Sequence, residues 1–280
     1  MKKINRSNMT LIASGLEGDL YSCYSVGEEA NKPIIFIRDQ ITNRFHPAGF
    51  PYGLNFKLLS NDVSNNYYGE CSQKPYVWVY KYLNKLSDRE AHNVCNNSRS
   101  LMIALEESKI KDADIVGEGL GGVIGILSSY SSRVDRIVAL HPPILSSPLG
   151  NIDLLKRKAN TYQRKLVLMA LKRIIDDTYG YSYDSLKGFR DLSSKGHLKK
   201  VKVVGSSIVG NPSISNLDKI LSDYIYDCTG VGNDGVVLWD ANRLSEMGFL
   251  VQEDEEPISH IEMLRNPEYK KDISKKLILK

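Results

Sequence analysis

Short apolar runs alternate with amphipathic stretches along most of this chain. Ile34–Ile37 and 76–82 are compact apolar runs of strand length. So are Val134–Leu140, 201–204 and, less strongly, 249–251. Between them lie segments with helical spacing: 90–108, 120–130 and a stretch around 214–226. In 120–130, Val123, Ile124 and Leu127 fall on one helical face. Strand and helix in alternation predict an α/β fold with a mostly parallel sheet of about eight strands and helices on both faces. Residues 9–30 are predicted as a peripheral antiparallel pair. No internal repeat and no low-complexity linker interrupts the pattern.

Residues 151–197 differ in character. Ile152, Leu155, Ala159, Tyr162, Leu166 and Met169 recur at spacings of three and four, which draws one apolar stripe on a long helix. The other face is basic: Lys156, Arg157, Lys158, Arg164, Lys165, Lys172 and Arg173 outnumber Asp153, Asp176 and Asp177. That excess equals the formal net charge of the whole chain, +4. The expected organisation is therefore a core of 1–150 and 198–280 with a helical cap inserted at 151–197. A basic amphipathic helix is a solvated face over a packed stripe, or a surface that meets an anionic membrane. Nucleic acid is not an expected partner, because aromatic interleaving and any recognition motif are missing.

Composition changes the picture little. A length of 280 residues suits one large α/β domain, and 25% charged with 42% apolar residues is ordinary globular usage. No apolar stretch reaches the roughly 18–20 residues that span a bilayer. The basic start Met-Lys-Lys-Ile-Asn-Arg leads into no signal-peptide core. The expected location is cytoplasmic. Cys23, Cys71, Cys95 and Cys228 are scattered without a C-x-x-C pair. They read as free thiols, and neither a metal nor a cofactor is expected.

The segment carrying most information is Val116-Gly117-Glu118-Gly119-Leu120-Gly121-Gly122. A short run at 112–116 precedes it and a small-residue helix follows. A glycine-rich loop opening a helix beneath a phosphate is one reading. The other is the strand-to-helix turn of the α/β-hydrolases, G-x-S-x-G, which it resembles with Gly119 at the serine place. The resemblance extends over roughly residues 33–267. Lys32–Ile37 resembles the strand that in lipases and esterases ends in His-Gly and helps form the oxyanion hole; here Arg38 and Asp39 follow. Asn43-Arg44-Phe45 stands where lipases often carry a similar loop. Val134–Leu140 with His141-Pro142-Pro143 resembles the strand after the nucleophile helix. Asn233-Asp234-Gly235-Val236-Val237 is similar to the segment that carries the triad acid in bacterial lipases. Ser259-His260-Ile261-Glu262-Met263-Leu264 resembles the final loop and helix that present the triad histidine. The order Gly119, Asp234, His260 is that of α/β-hydrolases.

The resemblance implies that His260 is a base, Asp234 its orienting acid, and Gly119 the nucleophile place without a nucleophile. Leu120 N–H would be one oxyanion donor and the loop at Asp39–Gln40 the other, with Arg38 beside Asp39. A carboxylate there opposes a developing oxyanion. Taken singly, Asp234 also reads as a turn residue and His260 as a helix-start or surface histidine; His141, after a strand end in a Pro-rich turn, reads as a structural histidine or one that lines the pocket. Glu118 is a further base candidate whose side chain points away from the attacking position in this fold. His46, His92 and His197 fit no pattern. The implied function is a non-catalytic or impaired lipase- or esterase-like α/β-hydrolase that binds an apolar or acyl-bearing molecule or a protein partner. The alternative is an ester hydrolase inactivated at Gly119, or a slow one using water activated by His260.

Overall fold

The computed structural model describes residues 33–37, 56–59, 77–80, 94–145, 183–214, 216–273 and 276–277. The described strands are β1 (Ile34–Ile37), β2 (Phe56–Leu59), β3 (Val77–Tyr80), β4 (Ala113–Glu118), β5 (Val134–Leu140), β6 (Val201–Gly205) and β7 (Leu250–Glu253). The helices are α1 (Val94–Glu107), α2 (Leu120–Leu127), α3 (Tyr183–Ser194), α4 (Asn216–Thr229), α5 (Ala241–Glu246), α6 (His260–Arg265) and α7 (Pro267–Ile273). The strands form one sheet in the order β2-β3-β1-β4-β5-β6-β7. Every pairing is parallel.

The central strands are apolar because both their faces are covered, as parallel sheets require. All six residues of β4 are buried, and so are the last four of β5. Ile115, Ile137, Val203 and Ile35 form the middle of a core that also takes in Leu101 and Leu105 of α1 and Val123, Ile124 and Leu127 of α2. Asp114 is the exception in β4. It is buried and receives Arg136 of β5, its cross-strand partner, with Nη2 at 2.6 Å and Nε at 3.1 Å from one oxygen.

Most predicted elements fall within a few residues of those observed. β2 lies where no strand was predicted. The run 112–116 continues to Glu118, and the helix 120–130 ends as α at Leu127, with a tight 3₁₀ turn at Ser128–Tyr130. The pair at 9–30 lies outside the described residues, as do 151–182 of the expected cap. The last part of that segment, α3, contributes Phe189 and Leu192 to the core of the sheet. Phe189 meets Phe249, just before β7, edge-on at 6.2 Å. Among the described residues no helix is long and apolar enough to cross a membrane. Cys95 and Cys228 are free thiols; Cys23 and Cys71 lie outside the described residues.

The chain runs from β1 outward to β2 and back to β3, then crosses to the other side of β1 for β4 to β7. Where such an order reverses, the strand ends leave a crevice at their carboxyl side. Here the reversal falls between β1 and β4, so the turn after β4 opens onto it.

Candidate active site

Gly119 is the residue between β4 and α2, with φ 51° and ψ −120°. Its N–H donates to the Leu140 carbonyl at 2.8 Å, and its carbonyl accepts from Gly122 N–H at 3.0 Å. The turn closes because its neighbours have no side chains. A Cβ on Gly117 would lie 2.5 Å from both Gly121 O and Gly122 Cα. The strand therefore enters the helix at an angle that only glycine at 117 permits. Leu120 begins α2 and is buried. β1 ends at Ile37, opposite Gly117. Arg38, Asp39 and Gln40 themselves lie outside the described residues.

Asp234 and His260 are brought together. Asp234 Oδ2 lies 2.9 Å from His260 Nδ1, and His260 N–H donates to the Asp234 carbonyl at 2.9 Å. The local sequence explains the precision. Asn233 Oδ1 accepts from Gly235 N–H at 2.9 Å, and Gly235 takes φ 91°, which glycine tolerates. That turn aims Val236 and Val237 N–H at Asp234 Oδ1, at 3.0 and 2.7 Å. His260 begins α6, whose cap is Ser259. Its Oγ accepts from Glu262 N–H and donates to Asp218 of α4. The two plainer readings hold as well: Asp234 is a turn residue and His260 a helix-start residue, and these roles hold the pair in place.

The structure adds a second histidine. His141, the residue after β5, places Nδ1 2.8 Å from Asp234 Oδ2 and Nε2 2.9 Å from Asp254 Oδ2. Asp254 follows β7 and accepts from Tyr269 Oη at 2.8 Å. Gly119, His141, Ser206 and Asp254 are thus the residues immediately after β4, β5, β6 and β7. In a parallel sheet that position marks the functional edge, and this was the signal by which His141 and Asp254 could have been found. His141, Asp234 and His260 are all buried, with side chains at most 1% exposed.

Proton positions follow from partners. A neutral imidazole has one donor and one acceptor nitrogen, yet both nitrogens of His141 face carboxylates. Burial alone would lower its pKa; hydrogen bonds with Asp234 and Asp254 and the charges of both outweigh that and raise it to about 9. Burial would likewise raise Asp234. Attraction to His260 and the hydrogen bonds from both histidines instead hold it well below the usual carboxylate range. Asp254 is lowered, against burial, by His141, Tyr269 and Ser206. Tyr269 is pushed well above its ordinary value by burial and by Asp254. His141, Asp234 and His260 offer donor atoms within 4.8 Å of one another, a spacing a metal ion can use. Both imidazole nitrogens point at one carboxylate oxygen, which is hydrogen-bond geometry.

Glu118 pairs with Lys270. Its Oε1 accepts from Lys270 Nζ of α7 at 2.8 Å, and both side chains are buried. The pair ties the turn at Gly119 to the helix ten residues beyond His260.

A parallel sheet whose order reverses beside a glycine-rich strand-to-helix turn, with an acid loop and a histidine loop following in that order, defines the α/β-hydrolase fold. No family model and no curated protein sequence matches the chain. Solved structures do, all distantly. The mature lipase from Bacillus licheniformis is 15% identical, covers 88% of this chain and 91% of its own, and has a TM-score of 0.49. The naproxen esterase of Bacillus subtilis is 10% identical, over 90% and 85%, with a TM-score of 0.44. The product of a Listeria innocua gene is 13% identical, over 87% and 92%, with a TM-score of 0.45.

Proposed function

We propose that this chain is an α/β-hydrolase relative that binds rather than turns over an apolar or acyl-bearing molecule. The observation that carries the reading is Gly119. It holds the backbone conformation at the tip of the turn, φ 51° and ψ −120°, and offers no atom that can attack a carbonyl. Acyl transfer needs a nucleophile as well as a base and its orienting acid. Loss of the triad serine costs about six orders of magnitude where it has been measured, with roughly 10³–10⁴-fold catalysis over water remaining. A second departure, Arg38-Asp39 where His-Gly is usual in the sequences it resembles, points the same way. A basic cap helix facing an anionic membrane belongs to the same proposal, as does a boundary near residue 197.

One observation favours a second reading. The Asp234–His260 pair is intact at 2.9 Å, which suits an ester hydrolase disabled only at Gly119, or one in which His260 activates water. Restoring the nucleophile separates the two. Gly119→Ser is expected to label weakly or not at all with a fluorophosphonate probe. Adding Arg38→His and Asp39→Gly is expected to raise labelling. Strong labelling of the single variant overturns the binding reading in favour of an esterase. Binding itself is tested with a fluorescent fatty acid; saturable binding to the unmodified chain supports the proposal.

A further inference from the structure

We infer that Asp254, His141 and Asp234 act together as one composite triad acid, in which the His141 imidazolium cancels the additional carboxylate that Asp254 brings. The assignment rests on reading Asp234 and His260 as a triad-derived pair, but it needs no turnover.

The geometry is a line of hydrogen bonds from one strand end to another. Tyr269 Oη donates to Asp254 Oδ1 at 2.8 Å, His141 Nε2 lies 2.9 Å from Asp254 Oδ2, and His141 Nδ1 lies 2.8 Å from Asp234 Oδ2. His260 Nδ1 lies 2.9 Å from the same oxygen. Asp234 Oδ1 accepts from Val236 and Val237 N–H, and its Oδ2 faces both imidazoles, which hold the carboxyl well below its usual range. An ionised Asp234 that accepts at all four contacts makes His141 the donor toward it. On its other side Asp254 accepts from Tyr269. The arrangement is satisfied when His141 holds both protons and both carboxylates are ionised. Two negative charges and one positive leave a net −1 beside His260, the same as the single carboxylate of an ordinary Ser-His-Asp triad.

His141 is held firmly enough to do this. Its N–H donates to the Val204 carbonyl at 2.7 Å, and its backbone sits at φ 46°, where a residue with a side chain is strained. Its ring meets His260 and Tyr269 edge-on at 6.1 and 6.3 Å. Four groups face it: Asp234 from the loop before α5, Asp254 from the end of β7, His260 from α6 and Tyr269 from α7. Removing the His141 charge alone leaves two buried carboxylates uncompensated. Of the groups facing the two carboxylates, His260 is the base whose ordinary titration lies near neutrality, so it becomes the cation of the site.

His141 is thus a positioning residue, and its role is read on His260. The experiment is ¹⁵N-histidine NMR of the full chain across pH, with two variants. In the unmodified chain at pH 7, His141 is expected to carry protons on both ring nitrogens and His260 one, on Nδ1. In His141→Gln the His260 midpoint is expected to rise by about one pH unit or more, the effect of an uncompensated charge nearby. In Asp254→Asn with His141→Gln, which restores a net −1, the midpoint is expected to return to that of the unmodified chain. A role in packing alone gives no such return. Three results each overturn the inference: a single ring proton on His141 at pH 7, an unmoved His260 in folded His141→Gln, or a double variant that stays shifted. The first is read without any variant, so it decides even if His141→Gln does not fold. None depends on Gly119→Ser labelling, so the inference and the binding proposal fail separately.

Discussion

His141 ties stability to pH. Its pKa rises on folding, from the ordinary 6.5 to about 9. The folded chain therefore holds this proton more tightly than the unfolded one. The resulting stabilisation is complete below about pH 6.5, falls as pH rises and is gone above about pH 9, and is on the order of 3 kcal/mol. Urea unfolding is expected to give a lower midpoint at pH 9.5 than at pH 6.5, with the difference much reduced in His141→Gln. Asp234 acts at the other end: its carboxyl lies lower in the folded state, so its contribution is present at neutral pH and lost only in strong acid. Of these residues, Asp234 and His260 were legible in the sequence, because each sits in a run whose neighbours are fixed by turn and cap chemistry. His141 was legible only as a strand-end histidine, structural or lining the pocket, and Asp254 was not legible. Each is a single polar residue at a strand end, and nothing nearby in sequence says that strand ends converge.

At the scale of elements, two features hold the turn at Gly119. The first is steric. Gly117→Ala places a methyl 2.5 Å from backbone atoms of Gly121 and Gly122. It is expected to destabilise by about 1–3 kcal/mol or more, read as a shift in the urea midpoint. Gly196→Ala, where nothing lies within 4 Å and only the backbone at φ 71° is strained, is expected to cost no more than about 1–2 kcal/mol. The second is the buried Glu118–Lys270 pair. Lys270→Met removes the buried ion pair to Glu118 Oε1 at 2.8 Å and is expected to cost about 3–5 kcal/mol, whereas Glu118→Leu with Lys270→Met should recover most of that. Thermal unfolding of the three variants checks this. Element boundaries were legible where burial is two-sided: Val134–Leu140 was read to the residue. They were not where a side chain intervenes. Ser128 Oγ bonds the Ile124 carbonyl at 2.8 Å, competing with the backbone where α2 gives way to a 3₁₀ turn. β2 was missed because Phe56-Lys57-Leu58-Leu59 is too short to show a period.

At the scale of the whole molecule, topology concentrates the unusual residues. Parallel pairing puts the ends of β4 to β7 on one edge, and the loop before α5, α6 and α7 supply Asp234, His260 and Tyr269. The sheet was legible from alternation alone. Its order was not, since pairing is a long-range choice. The unmodified chain is expected to show little or no hydrolysis of short nitrophenyl esters. Robust turnover that survives both Asp234→Ala and His260→Ala would place the chemistry elsewhere on the molecule.

The glycine at the tip of the turn also has a consequence for history. A serine there bears a Cβ at φ 51°, a strain of about 1–3 kcal/mol. Glycine removes the strain along with the hydroxyl. Any lineage that passed from serine to glycine at 119 gained stability when it gave up chemistry. The way back runs uphill, because the restored serine is strained again. Such a step acts as a ratchet. It turns a reagent into a scaffold, and leaves later substitutions around the site free of the demands of turnover.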